Sequence, residues 1–244
     1  PVPALWERPY DPNTGDPYIP FVTIAWEDLR DEPLTATDVY AACIDARFVQ
    51  LVNPGGNGGD PICQSYFDQT EVAIEQLWGG SNAVIAWTTP ESGGAMNNID
   101  VHYQMVDVRN WQLDKPVNGW PVVEAKGEQI RPEISNLVFV FQDHRRTAIS
   151  GDARTDWDIY CQTPGECTGP KAMGWRDMFA KVTTVSDAEL YRTVTGDEHN
   201  VYVVWDEVRD PVEGRQIFVQ KFDKDGVARW TNGGVRVSDV HPQY

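Results

Sequence analysis

One pattern recurs four times along this chain, and it constrains the fold more than any other feature of the sequence. In each copy a hydrophobic run ends at an aromatic residue, a charged segment follows, and a second hydrophobic run begins. The first runs end at Trp26, Trp87, Phe141 and Trp205, and the second runs open at Asp38, Asp100, Asp158 and Gln216. A period of about 60 residues is typical of repeat proteins such as propellers and solenoids.

The runs within each copy predict β-strands. They are short, rich in β-branched and aromatic residues, and bounded by Gly, Pro, Asn and Asp. The best helical candidate, Gln69–Gly80, occupies the position where its copy needs an inner strand, so we predict a strand and a hairpin there. A third position, marked by Trp120, Trp175 and Trp230, leads into another short run in three of the copies. Each copy therefore supplies three clear strands and a weaker fourth.

Four-stranded units repeated around an axis form a β-propeller, so the sequence predicts an all-β protein with that fold. We expect one domain over residues 1–244 with about four four-stranded blades, at roughly 1–66, 67–127, 128–186 and 187–244. The 10 Trp, 9 Tyr and 8 Phe suit flat interfaces between twisted sheets. The last residues, "SDVHPQY", match the start of a further copy. Two interpretations stay open: a small four-bladed ring, or part of a larger ring that other sequence or another subunit completes.

The fourth copy carries the fullest form of the motif. Its positions are Trp205, Asp206, Arg209, Gln220, Asp225, Gly226, Trp230, Gly233 and Gly234. The first copy matches at Trp26, Asp28, Arg30 and Asp38, whereas the second replaces the acidic exit by Thr88-Thr89-Pro90. This pattern resembles the propeller-forming repeats of large secreted and cell-surface bacterial proteins. The resemblance implies an exported, scaffold-like or binding role and brings no shared catalytic residue, so it speaks for architecture and leaves function open.

The charge balance narrows the range of partners. The chain has 37 acidic and 20 basic residues, a net charge of −17. Nucleic-acid binding relies on Lys and Arg, so neither nucleic acid nor an anionic membrane is expected as a partner. No apolar run approaches the ~18 residues that a spanning helix needs, so no membrane insertion is expected. We expect a protein partner in a larger assembly, with a glycan as a second candidate.

Four cysteines bear on the compartment. Cys43 and Cys63 flank a Gly-rich loop, and Cys161 and Cys167 flank a Pro-Gly turn, so two local disulfides are predicted. Other pairings, or four buried free thiols, remain alternatives. Disulfides imply an oxidising compartment, so we expect the protein at the cell surface, outside the cell or in the periplasm.

Charged residues follow the aromatic strand ends and mark a candidate binding face. The candidates are Asp28, Arg30, Asp143, Arg145, Asp206 and Arg209. The alternative is that these acids and arginines form structural ion pairs that tie strand ends to a neighbouring blade.

A second candidate site is a calcium site in the loop "DPNTGD", with ligands Asp11, Asn13 and Asp16. It lacks the full calcium-loop pattern, so a simple turn is the alternative; no other cofactor is expected.

No catalytic motif is present. The chain has no Gly-x-Ser-x-Gly, His-Glu-x-x-His or sialidase-type Asp turn, and its acids recur with the repeat, as structural residues do. The sequence therefore predicts a non-enzymatic exported β-propeller, a binding or assembly subunit of an extracellular or periplasmic complex. The alternative is a carbohydrate-active propeller hydrolase with a carboxylate pair on its axis.

Overall fold

The structure is a computed structural model, and it confirms an all-β protein. It describes residues 2–8, 19–30, 36–45, 48, 50–77, 82–90, 99–114, 116–122, 127–143, 157–162, 180–181, 189–196, 200–210, 212–223 and 227–238. Within these ranges the elements are β-strands and one short 3₁₀ turn, Gly56–Gly58, with no α-helix.

The strands form four antiparallel sheets, each built from consecutive strands. Sheet 1 contains β1 (Val2–Arg8), β2 (Ile19–Asp28), β3 (Asp38–Asp45), β4 (Gln50–Leu51) and β5 (Asp60–Cys63). Sheet 2 contains β6 (Thr70–Gln76), β7 (Asn82–Pro90), β8 (Ile99–Asp107), β9 (Gln112–Leu113) and β10 (Trp120–Pro121). Sheet 3 contains β11 (Gln129–Ser135), β12 (Val138–Asp143), β13 (Asp158–Gln162) and β14 (Ala180–Lys181). Sheet 4 contains β15 (Glu189–Gly196), β16 (Asn200–Asp210), β17 (Gly214–Asp223) and β18 (Val235–Arg236).

The four sheets share a common strand order. In each sheet the three long strands lie side by side in chain order, and one or two strands of only two to four residues follow and pair with the third. The segment predicted as an inner strand at Gln69–Gly80 forms β6, which pairs with β7, so that prediction is confirmed. A bulge interrupts both β6 and β11, and at equivalent positions Glu71 and Arg131 adopt positive φ angles of 56° and 54°. Charged residues in this conformation are uncommon, so the bulge with a positive φ angle is a specific feature that sheets 2 and 3 share.

The chain divides into two compact units, Pro1–Pro90 with His102–Pro121 and Glu91–Val101 with Val122–Tyr244. In the first unit, β6 lies against β1, β2 and β3 of sheet 1; in the second, β15 lies against β11, β12 and β13 of sheet 3. Each unit has an apolar core between its sheets. Because side chains alternate along a strand, each core is formed by one face of each sheet.

The two faces of a sheet differ in kind. The side of a sheet that carries Trp26, Trp87, Phe141 or Trp205 is termed the tryptophan face. The opposite side is termed the aliphatic face, and it carries Val39 in sheet 1, Val101 in sheet 2, Ile159 in sheet 3 and Ile217 in sheet 4. In both cores an aliphatic face packs against the tryptophan face of the following sheet in the sequence. The large indole rings thus lie against small residues such as Ala25 and Ala41.

A glycine precedes the short edge strand wherever the repeat has a tryptophan. Gly59, Gly119 and Gly234 have φ angles of 71°, 59° and 78°. A Cβ on Gly234 would lie 2.6 Å from Cη2 of Trp205, and a Cβ on Gly119 would lie 2.7 Å from Cη2 of Trp87. Both the left-handed backbone and the indole contact therefore require glycine.

The structure corrects the third repeat position. Trp120 pairs with Tyr103 on β8, whereas the residue of sheet 4 in the same register is Val235, which pairs with Val219. Trp230 lies five residues before Val235 and packs against Tyr202. The equal spacing of the tryptophans was therefore coincidental for this pair, and Trp175 lies outside the described residues.

The predicted Cys43–Cys63 disulfide is wrong. Cys63 on β5 is paired with Val39, four residues from Cys43 along β3, which places the two cysteines about 13 Å apart by strand geometry. Cys43, Cys63 and Cys161 are all buried free thiols. Burial raises the pKa of the Cys43 thiol to about 11, and those of Cys63 and Cys161 to about 12. Cys167, the expected partner of Cys161, lies outside the described residues.

Candidate functional site

An arginine folds back over the end of sheet 4 and holds three parts of it together. Arg209 forms an ion pair with Glu207, donates a hydrogen bond to the carbonyl of Gly233, and stacks its guanidinium 3.5 Å from the centre of the Phe218 ring. Phe218 in turn stacks on Trp205. The Glu207 side chain is fully buried, so the arginine neutralises a charge that has no access to water.

Sheet 1 contains the same arrangement. Arg30 forms an ion pair with Asp28, and its guanidinium lies 4.0 Å from the centre of the Tyr40 ring. Tyr40 stacks on Trp26, as Phe218 stacks on Trp205. A Cβ on Gly58 would lie 3.0 Å from Nη1 of Arg30, so the guanidinium also covers the loop before β5. We call this set of contacts between acid, arginine, aromatic ring and glycine the arginine clamp.

The clamp fixes the ionisation of Asp28. The hydrogen bond from the Arg30 side chain holds the pKa of Asp28 well below its usual range. The Trp26 indole donates to Asp28 Oδ2 at 2.8 Å and the Arg30 backbone amide donates to Oδ1 at 2.8 Å, and both add to this effect against the opposing effect of burial. Asp28 is therefore a carboxylate whose acceptor oxygens are engaged within its own sheet.

The repeat position of the acid differs from the predicted one in sheet 4. Asp28 lies two residues after Trp26 and pairs with Asp38; in sheet 4 the corresponding residue is Glu207, which pairs with Gln216. Asp206, the predicted candidate, forms a separate ion pair with Arg215, with Nη1 2.6 Å from Oδ1. Because β16 continues to Asp210, Asp206 and Arg209 lie in a strand, where the sequence predicted a loop. The clamp of sheet 4 closes on its own sheet, unlike the predicted tie to a neighbouring blade.

Sheet 2 lacks the arginine, and an asparagine occupies the place of the covered glycine. Asn118 accepts a hydrogen bond from the Gln64 amide at 2.8 Å, and its own amide donates to the Ile62 carbonyl at 3.2 Å. Ile62 lies in β5 and Gln64 follows it, so Asn118 links the edge of sheet 2 to the edge of sheet 1. This contact was not predictable from the sequence, because it depends on two strand edges that packing brings together.

In sheet 3, Asp143 and Asp158 are buried and lie opposite each other at the ends of β12 and β13. Asp143 is thus placed like Asp28 and Glu207, at the residue two positions after the aromatic. Arg145, at the clamp position, lies outside the described residues, as do the calcium candidates Asp11, Asn13 and Asp16. Among the residues that the structure does describe, no group of three or more His, Cys, Asp or Glu side chains is placed to hold a metal ion.

Four of the described candidates form ion pairs inside their own sheets. Asp28 with Arg30, Asp206 with Arg215 and Arg209 with Glu207 are separate ion pairs, each within one sheet. In the described part of the chain, no helix has the length and apolar character needed to cross a membrane.

No protein-family model matches this chain, and no curated protein matches it.

The two clamps should differ in their contribution to stability. Arg209→Ala removes the ion-pair partner of the fully buried Glu207 carboxylate. This should lower the free energy of unfolding by about 2–3 kcal/mol. Arg30→Ala removes a partner from the more exposed Asp28 and should cost about 1 kcal/mol. Urea denaturation of both variants measures the difference. The double variant Arg209→Met with Glu207→Gln should recover most of the loss, and equal losses for the two single variants would contradict a buried charge as the cause.

Proposed function

We propose that the four sheets are blades of a β-propeller and that the protein is a non-enzymatic binding or assembly subunit. Two features support the propeller: every sheet is a meander with a short edge strand, and an aliphatic face packs on the next tryptophan face in both cores. This packing is directional, because each sheet presents two different faces. A directional stack of similar sheets is the arrangement from which propellers are built.

The observation that carries the non-enzymatic role is the pairing of the recurring acids with arginine. A hydrolase of this fold needs carboxylates that are free to donate a proton or attack a substrate. Asp28, Asp206 and Glu207 are instead engaged by Arg30, Arg215 and Arg209. Ion pairs inside the sheets support a structural role for these three acids. The surface for a partner would then be formed by the loops that follow the clamps.

Export is part of the proposal and rests on the resemblance to secreted and cell-surface repeats. The Cys43–Cys63 pair no longer contributes to it, because both residues are buried thiols. A protein ligand in a larger assembly is the partner that we propose, with a glycan as the second candidate.

One observation favours the alternative, a carbohydrate-active hydrolase. Asp143 and Asp158 are both buried and directly opposite across β12 and β13, and directly opposite residues have Cβ atoms about 4.5–5.5 Å apart. Retaining glycosidases hold their two carboxyl groups about 5–5.5 Å apart. However, the same opposition recurs at Asp28 and Asp38 in sheet 1, where Asp28 is bound by Arg30. The recurrence supports an architectural origin of the pair.

Assay against a panel of glycans separates the two functions. We expect the wild-type chain to release no product above the rate without protein, and Asp28→Asn, Asp143→Asn, Asp158→Asn and Asp206→Asn to behave identically. Binding to the same glycans without turnover would identify a ligand for the binding role. Turnover that one of these substitutions abolishes would replace the binding role by the hydrolase.

A further inference from the structure

The aliphatic face of sheet 4 carries exposed apolar side chains. Ile217, Val235 and Val237 are 45%, 43% and 57% exposed, and Val204 and Val219 beside them are only half-buried. Val235 pairs with Val219, and the Val237 amide donates to the Ile217 carbonyl at 2.9 Å, so these side chains lie on one side of β17 and β18. Exposed aliphatic residues grouped on one sheet face are the usual mark of an interaction surface.

The same positions are buried in the sheets whose aliphatic faces are covered within a unit. Val39 and Ile159, the residues equivalent to Ile217, are fully buried. Ala41 and Cys161, the residues equivalent to Val219, are fully buried as well. In both cases the covering element is the tryptophan face of the following sheet. The structure thus shows twice what kind of surface an aliphatic face of this protein accepts.

The chain also carries a tryptophan face that is not fully covered. Trp26 of sheet 1 is half-buried, whereas Trp87 and Trp205 at the same repeat position have no exposed surface. Other apolar side chains on this face, Val22, Ile24, Ala42 and Ile44, are half-buried too. The chain therefore carries both types of face that meet in its internal cores, a tryptophan face on sheet 1 and an aliphatic face on sheet 4, each with exposed or half-buried apolar side chains.

We propose that a second copy of this chain seats the tryptophan face of its sheet 1 on the aliphatic face of sheet 4, so that copies join head to tail. The inference deepens the assembly role proposed above and rests on it. Trp26 of the second copy lies over Val204 and Val219, as Trp205 lies in the core with Val140 and Cys161. Val204 and Val219 are small enough to receive an indole ring, which is the size match found in both internal cores.

Charge modulates this contact. Each chain carries a net charge of −17, so two copies repel each other at long range. Salt screens that repulsion and leaves apolar burial intact. Self-association should therefore tighten as salt is added, whereas an association held by surface ion pairs would weaken.

The test is self-association of the full chain, measured by sedimentation equilibrium from micromolar to millimolar concentration at low and moderate salt. We expect dimers or longer assemblies that tighten with salt. Val235→Lys, on the aliphatic face, should weaken association by about tenfold or more. Val212→Lys is the matched control, because Val212 is 92% exposed in the turn after β16 and lies off the face. It should associate like the wild type.

Mixing two variants tests the head-to-tail pairing itself. Ile24→Lys disables the tryptophan face of sheet 1, and Val235→Lys disables the aliphatic face of sheet 4. Each variant alone should be monomeric, and their mixture should form heterodimers, because one intact pair of complementary faces remains. Thermal unfolding of each variant checks that it is folded, and if Ile24→Lys is not, Ala42→Lys takes its place.

A wild-type chain that stays monomeric would overturn the inference. This holds whichever other surface covers the aliphatic face of sheet 4. Association that Val235→Lys leaves intact, or a mixture that stays monomeric, would overturn it as well. The glycan assay is independent of these results. A monomer without glycan turnover removes this inference alone, and turnover lost in an Asp→Asn variant removes the binding role.

Discussion

Gly119→Ala should destabilise the protein by about 4 kcal/mol, an effect far above that of an ordinary surface substitution. Gly119 has a φ of 59°, a conformation that costs a residue with a Cβ about 1–2 kcal/mol. The new methyl group would also lie 2.7 Å from Cη2 of Trp87 and against the carbonyl oxygen of Tyr103. Overpacking of a buried contact typically costs about 1–3 kcal/mol, and here one of the obstructing atoms is backbone that cannot rotate away.

Gly56→Ala is the control for the backbone contribution alone. Gly56 has the same φ of 59°, but a Cβ there would meet no atom within 4 Å. It should therefore cost about 1 kcal/mol, the price of the left-handed conformation without the steric clash. Urea denaturation at neutral pH measures both losses. Similar losses for Gly56→Ala and Gly119→Ala would show that the indole contact contributes nothing to the requirement for glycine.

The aromatic repeat made the sheets predictable from sequence. Trp26, Trp87, Phe141 and Trp205 lie on β2, β7, β12 and β16, and the next strand opens at or near the predicted Asp or Gln in every sheet. The β-strands could be predicted because apolar and polar side chains alternate along them. The aromatic positions could be predicted because the ring at each strand end makes a similar contact in several sheets. Sheet 3 supports the same logic: it has the smaller Phe141, and Phe179 stands in the sequence where the other sheets have glycine.

Two details were beyond sequence reasoning because they depend on register. The predicted equivalence of Asp28 and Asp206 was off by one residue, since the strand that carries Asp206 and Glu207 continues past both and Glu207 fills the buried position. Cys43 and Cys63 flank a loop whose ends are not paired with each other. A one-residue change of register moves a side chain to the other face of a sheet, so spacing alone could not choose between these outcomes.

The candidate binding face stays a prediction. Spacing picked out Asp28, Arg30 and Arg209, and the structure adds that the two guanidinium groups lie on the rings of Tyr40 and Phe218 in the following strand. An arginine stacked on an aromatic ring and paired with a nearby acid stabilises a sheet edge. The ligand of the loops that follow the clamps could not be predicted, because the repeated sequence pattern carries no information about the partner.

The buried thiols should make the protein sensitive to alkaline conditions. Burial raises the pKa of Cys63 from its ordinary value of 9.0 to about 12, and the charge of Asp38 adds to the rise. Since the folded-state pKa lies above the unfolded one, the contribution of this thiol to stability is fully present below pH 9. It is lost as pH rises from about 9 to about 12, because the unfolded chain ionises first, and the full loss corresponds to about 4 kcal/mol.

Cys63→Ala isolates this effect through its pH dependence. Between about pH 9.5 and 11, the free energy of unfolding of the wild type should fall by about 1.4 kcal/mol per pH unit more steeply than that of Cys63→Ala, one proton's worth of linkage. Ile62→Val, at the neighbouring buried position, should lower stability at every pH and leave the slope unchanged. Parallel curves for the wild type and Cys63→Ala would mean that this thiol is ionised or bonded in the folded protein. A buried neutral thiol is compatible only with the steeper wild-type curve, because linkage follows the difference in protonation between the folded and unfolded chains.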